Sequence, residues 1–169
     1  IDYGCGEGRL AFALAKRTEL TVIGVTADAG EAARARAALR QAGIYGTRIT
    51  IQHRPLAKLR HTDSMFNLAV SSELLHNGTL PGERAELLRV LRPSGGALAL
   101  GGLPQSGLAK LISGSALARA TTTEANGELL LAKRKPLDGA GEWSHTYGSA
   151  AQTANSGDKI VNGGKMALQ

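Results

Sequence analysis

The chain has 169 residues, 43% of them hydrophobic, which suffices for one domain with a proper core and leaves little room for a second. Its net charge of +6 is carried by scattered residues such as Arg34, Arg40, Arg48 and Lys58, and aromatic residues make up only 4%, so a solvated basic surface is favoured over a nucleic-acid interface. A single cysteine, Cys5, excludes an internal disulfide and a multi-cysteine zinc site, and no apolar run reaches the roughly 20 residues that cross a bilayer.

The chain starts at Ile1 without a methionine and enters at once what reads as the end of a buried strand, so a fragment with an upstream start is expected. From residue 1 to about 102, short apolar runs alternate with amphipathic segments, the rhythm of a parallel sheet covered by helices. Residues 1–3 end the first strand, glycines turn the chain, and residues 9–17 place Leu10, Ala13 and Leu14 at helical spacing. Residues 21–25 form the second strand. Asp28 and Glu31 have the spacing of a capping box, which opens a helix running to Ala42, where Gly43 supplies the stop. Residues 48–53 and 66–71 read as internal strands, residues 83–91 as a helix stopped by Pro93, and residues 97–100 as the fifth strand. A helix over 108–117 is expected despite Gly114. Asn126-Gly127 then marks a tight hairpin between strands 119–124 and 128–134. Beyond Pro136 the chain is rich in Gly, Ser, Asn and Ala without periodicity, which places a domain boundary at 135/136.

The first turn carries the strongest signal. A strand running into a glycine-rich turn and then a helix presents backbone N–H groups and lets a nucleotide-like ligand approach closely. Gly4, Gly6 and Gly8 give GxGxG, whereas the dinucleotide fingerprint is GxGxxG, and Arg9 stands where its third glycine would be. A nicotinamide-dependent oxidoreductase is disfavoured on that ground.

The sequence DYGCGEGR resembles the first motif of class I S-adenosyl-L-methionine (SAM) dependent methyltransferases, and LRVLRPSGGALAL at 88–100 resembles the helix, turn and fifth strand that follow their active site. The resemblance covers residues 1 to about 135. It implies an α/β Rossmann-like fold with a mostly parallel sheet and a C-terminal antiparallel hairpin, SAM as cofactor, and Asp2, Gly4, Cys5, Gly6, Glu7 and Gly8 around the methionine moiety. Two positions depart from the family. Its acidic ribose ligand at the end of the second strand is here Thr26, with Asp28 two residues on better explained as the helix cap; after the third strand, Arg54-Pro55-Leu56 replaces an acidic adenine ligand, leaving Leu56 to pack on the base. The acceptor would face the carboxyl ends of the strands near Ser71, Ser72, Glu73 and His76, with Glu73 or His76 as candidate bases or simply solvated residues at a helix start. His53, His61 and His145 lack metal-ligand spacing, so no metal is expected.

PLDGAGEWSHTYG at 136–148 resembles the entry to a quinoprotein-type (PQQ-like) β-propeller of bacterial proteins that carry a methyltransferase-like domain; the alternative is a disordered tail. The resemblance implies a downstream propeller in the same chain, PQQ by association only, and a place in the cell envelope or periplasm. Two functions follow: a SAM-dependent methyltransferase with an unidentified acceptor, or a methyltransferase-like scaffold domain that has lost ribose and adenine recognition.

Overall fold

The computed structural model describes residues 1–141, 146, 150, 151 and 157–160. The chain divides into two compact units, Ile1–Lys135 and Pro136–Gln169. In the second, Ala140 N–H donates to Leu137 O at 3.0 Å and Lys159 N–H to Gly139 O at 2.8 Å. Residues 142–145 and 147–149, which carry much of the propeller resemblance, lie outside the described residues.

The first unit runs β1 (Asp2–Tyr3), α1 (Arg9–Arg17), β2 (Val22–Thr26), α2 (Ala29–Gln41), β3 (Ile49–His53), β4 (Leu68–Ala69), α3 (Ser72–Asn77), α4 (Arg84–Val90), β5 (Ala97–Leu100), α5 (Gln105–Ile112), α6 (Ala116–Ala120), β6 (Thr121–Asn126) and β7 (Leu129–Arg134). Strands pair in the orders β1-β2-β3, all parallel, and β4-β5-β7-β6, where β7 is antiparallel to both neighbours. A bridge between Asp2 and Val70 sets β1 beside β4, with Tyr3 N–H donating to Val70 O at 2.8 Å. The sheet order is therefore β3-β2-β1-β4-β5-β7-β6. The fold is α/β and Rossmann-like, with a mostly parallel sheet ending in an antiparallel hairpin.

Alternation along β2 explains how the sheet is covered. Val22 joins a cluster with Ala11 and Ala15 of α1, Ala32, Ala35 and Leu39 of α2, and Ile49 and Ile51 of β3. Its neighbours of opposite parity, Ile23 and Val25, join Tyr3, Leu87 and Val90 of α4, Leu108 and Ile112 of α5, and Leu117 of α6. Successive side chains of a strand point to opposite faces, so the two clusters cover opposite faces of the sheet. Gly24 at the centre of β2 leaves room for its neighbours, because a Cβ there would meet Ile51 Cδ1 at 2.7 Å and Cys5 Sγ at 2.8 Å.

Four local expectations change. The fourth strand is confined to Leu68–Ala69, and the chain enters α3 directly after Ser71, whose hydroxyl accepts from Leu74 N–H at 3.2 Å. The helix expected over 108–117 is two helices, because Gly114 takes φ +70° and Ser115 then caps α6. Strand β6 starts at Thr121, since residues 119 and 120 belong to that helix. Asn126 pairs with Leu129, so the two-residue hairpin loop is Gly127-Glu128, with Gly127 at φ +58°.

Candidate functional site

At the carboxyl ends of β1 and β2 lies a cleft of about 340 Å³. Ligand pockets of globular proteins start at about this volume. One wall is the turn after β1, contributed by Gly4, Cys5, Gly6 and Glu7, with Arg9 at the start of α1. Glu31 of α2 also lines it, as do Ser72, Glu73, His76 and Asn77 of α3.

The turn is built by backbone conformation. Gly4, Gly6 and Gly8 all have positive φ, at 71°, 50° and 78°. Side chains rarely adopt this region. The glycines also differ. A Cβ on Gly4 would sit 2.7 Å from Glu73 Cβ, so its bareness lets α3 close on the turn. Around Gly6 nothing lies within 4 Å, which leaves the backbone open to a ligand in the cleft. Gly8 precedes α1 and faces Ile51, Ala35 and Leu39 of the core instead.

Beneath this turn Asp2 is fully buried. Ser72 N–H donates to Asp2 Oδ1 at 2.9 Å and Ser72 Oγ to Oδ2 at 2.7 Å, which ties the end of β1 to the start of α3. Burial raises the Asp2 pKa, opposed by those two hydrogen bonds. Asp2 thus supports the cleft from below rather than lining it. The Cys5 side chain turns into the core, and burial pushes its thiol up to about 12. It stays protonated and unreactive at neutral pH. Glu7 is the opposite case: its exposed carboxylate accepts from Arg34 Nε at 2.8 Å and lies 3.5 Å from Arg9, and the hydrogen bond from Arg34 lowers its pKa.

At the end of β2 the side chains are already engaged. Thr26 is buried; its Oγ1 donates to Glu31 Oε2 at 2.6 Å and accepts from Asp28 N–H at 3.3 Å. Asp28 Oδ1 accepts from Glu31 N–H at 2.7 Å, the N-cap of α2. Only half of the expected capping box forms, because the Glu31 carboxylate turns to Thr26 rather than back to the Asp28 N–H. Ser71 is buried and donates to Tyr3 O at 2.7 Å while capping α3. Leu56 packs on the α4 side of the core, and its carbonyl accepts from the Tyr3 hydroxyl.

Of the residues singled out in the sequence, Gly4, Cys5, Gly6, Glu7, Glu73 and His76 meet in the cleft. Asp2, Gly8, Thr26, Asp28, Leu56 and Ser71 do not line it. Glu31 does line it, and sequence reasoning gave it only a capping role. Its signal was a carboxylate on the first helical turn after a strand that lacks one. His53 is tied to Ala27 O at 3.1 Å, and His61 sits edge-on to Phe66 at 5.1 Å; neither lines the cleft. Among the described residues, no helix is long and apolar enough to cross a membrane.

Solved structures share this architecture. The chain is similar to a candidate SAM-dependent methyltransferase from Methanococcus maripaludis, with 19% identity, TM-score 0.58, and 81% of this chain and 76% of that one covered. It is likewise similar to a SAM-dependent methyltransferase from Aquifex aeolicus, at 15% identity and TM-score 0.57 over 78% of each chain. At these identities the likeness shows the fold. Against the cyclase SpnF the identity is 29% and the TM-score 0.47, over 58% of this chain and 36% of that one, so this chain spans little more than a third of that protein. No curated protein matches the chain. The family model described as a methyltransferase domain matches residues 1–95. Reaching from the glycine turn to the residues before β5, that match covers more than half of the 169 residues, and the chain belongs to the methyltransferase domain family.

Proposed function

We propose that residues 1–135 form a SAM-dependent methyl-transfer unit that acts on a small or exposed nucleophile entering beside α3. The observation that carries this reading is the cleft itself: the turn at the end of β1, with Gly4 and Gly6 at positive φ, forms one wall, and the titratable side chains of Glu31, Glu73 and His76 complete it. Gly6 has open space where a Cβ would stand, which suits close approach of a cofactor to the backbone. When bound, SAM would supply an electrophilic methyl group on a sulfonium, with S-adenosylhomocysteine as the thioether that leaves when the methyl passes to the acceptor.

The protein's contribution is chiefly placement, since holding two reactants in line removes much of the entropic barrier. Asp2 and Ser72 lock the turn to α3, so the two walls keep a fixed spacing. His76 Nδ1 lies 2.8 Å from Ser72 O; a carbonyl only accepts, so the ring donates there and its neutral form keeps Nε2 as an acceptor. His76, with Glu73 alongside, is then the candidate base for an oxygen or nitrogen acceptor.

A second reading is a methyltransferase-like scaffold without cofactor. It rests on Thr26 and Pro55, where the expected carboxylates are missing. Its extension to a downstream propeller, with PQQ and an envelope location, rests on the resemblance of 136–148, with Gly43-Ile44-Tyr45-Gly46 and Phe66-Asn67-Leu68 beside it, and the comparisons give it no support. Isothermal titration of the full chain with SAM and S-adenosylhomocysteine separates the two: saturable heat supports the enzyme, and none at millimolar ligand overturns it.

A further inference from the structure

A ribose is recognised through acceptors for its two hydroxyl protons, and at the end of β2 neither Thr26 nor Asp28 lines the cleft. The one proton of Thr26 Oγ1 goes to Glu31 Oε2 at 2.6 Å, and its oxygen already accepts from Asp28 N–H at 3.3 Å. Asp28 is exposed, caps α2 through Oδ1 and lies outside the cleft lining. Three other carboxylates line the cleft. Glu7 is held by Arg34 at 2.8 Å with Arg9 at 3.5 Å, and Glu73 lies by α3, accepting from Asn77 at 3.5 Å. Glu31 remains: it is half-buried, its single hydrogen-bond partner among the described side chains is a neutral hydroxyl on Oε2, and Oε1 is without one.

We infer that Glu31, oriented by the Thr26 hydroxyl, is the group that accepts from the 2′,3′-diol of the cofactor's ribose, so that the carboxylate lost from the strand end is supplied from the first turn of the next helix. The inference rests on the SAM-binding reading above. A carboxylate suits a vicinal diol because both its oxygens only accept. Thr26 acts as a positioning residue: it spends its donor on Oε2 of a side chain that lines the cleft and leaves Oε1 without a hydrogen-bond partner among the described residues. The same arrangement excludes a 2′-phosphate, whose charge would face that of Glu31.

The test is titration of the full chain with S-adenosylhomocysteine and with its 2′-deoxy counterpart, for the wild type, Glu31→Gln and Thr26→Val, each checked for an unchanged melting temperature. Glu31→Gln is expected to weaken S-adenosylhomocysteine binding by about tenfold to a hundredfold, the range for a hydrogen bond to a charged group. Thr26→Val, which keeps the carboxylate but frees it, is expected to lose about threefold to tenfold. The 2′-deoxy ligand binds the wild type more weakly, and Glu31→Gln costs it less than it costs the full ribose. A Glu31→Gln variant within about twofold of wild type overturns the assignment and leaves SAM binding intact. Absence of binding by the wild type overturns the SAM reading and the assignment with it.

Discussion

The ends of β1 and β2 border the same cleft but are built differently. After β1 the wall is largely backbone: Gly4 and Gly6 hold positive φ in the cleft, Gly8 does so beneath it against the core, and their role follows from having no side chain. After β2 it is side chain: Thr26, Asp28 and Glu31 exchange three hydrogen bonds, and only Glu31 reaches the cleft. A backbone-built wall is tied to its residues, because no other residue adopts those dihedrals without strain. A carboxylate can be delivered from any nearby element with the reach. The glycine turn therefore stays in register with its family, while the inferred assignment of the ribose to Glu31 sets the acidic function five positions beyond Thr26.

The largest expected effect lies on the backbone side. Gly4→Ala combines φ +71° with a Cβ 2.7 Å from that of Glu73, and should lower unfolding stability in urea by about 3 kcal/mol. Gly6→Ala has the strain without the clash, so a stability loss of about 1 kcal/mol is expected, with the main damage in S-adenosylhomocysteine affinity. Equal stability losses for the two would break the distinction between a packing glycine and a ligand-facing one.

Next in size is the pH dependence of the support under the turn. Burial raises the folded-state pKa of Asp2 above its ordinary 3.8, so the folded protein keeps this proton to higher pH than the unfolded chain does. The stability from that proton is full below about 3.8 and is lost as pH rises through the folded value. Asp2→Asn cannot titrate, and its urea midpoint should decline less than that of the wild type as pH rises above about 4. Identical profiles would show that Ser72 offsets the burial completely.

The smallest expected effect sharpens the side-chain end. Thr26→Asp restores a carboxylate where the family has one, but sets it against Glu31 and removes the hydroxyl that orients it. Repulsion offsets the new acceptor, so affinity for S-adenosylhomocysteine should change by less than about threefold. Tightening beyond that would return the diol to the strand end.

What the sequence revealed follows the same division. Positive-φ glycines, the Asp28 cap and the alternation of β2 are dictated locally, so the turn, the second helix and the order of elements could be read directly. The path of the Glu31 side chain could not: the spacing of a capping box fits a carboxylate turned to the Asp28 N–H as well as one turned to Thr26, and tertiary geometry decides. Asp2 reads as a cofactor ligand from its motif, yet its partner Ser72 is 70 residues away and invisible to local pattern. The split at Gly114 and the Gly127-Glu128 loop were one-residue decisions about where a positive φ falls.

The placement of β7 between β5 and β6 has a consequence for how molecules of this protein behave beside one another. Because the hairpin folds outward, the rim of the sheet is β6, whose residues from Thr122 onward are exposed, with Glu124 clasped by Lys133 at 2.9 Å. Without that strand the rim would pass to β7 and its run Leu129-Leu130-Leu131, an apolar ribbon with free backbone groups and every requirement for stacking onto a second copy. The threonines and glutamate of β6 thus form a polar border that keeps this apolar run off the rim of the sheet.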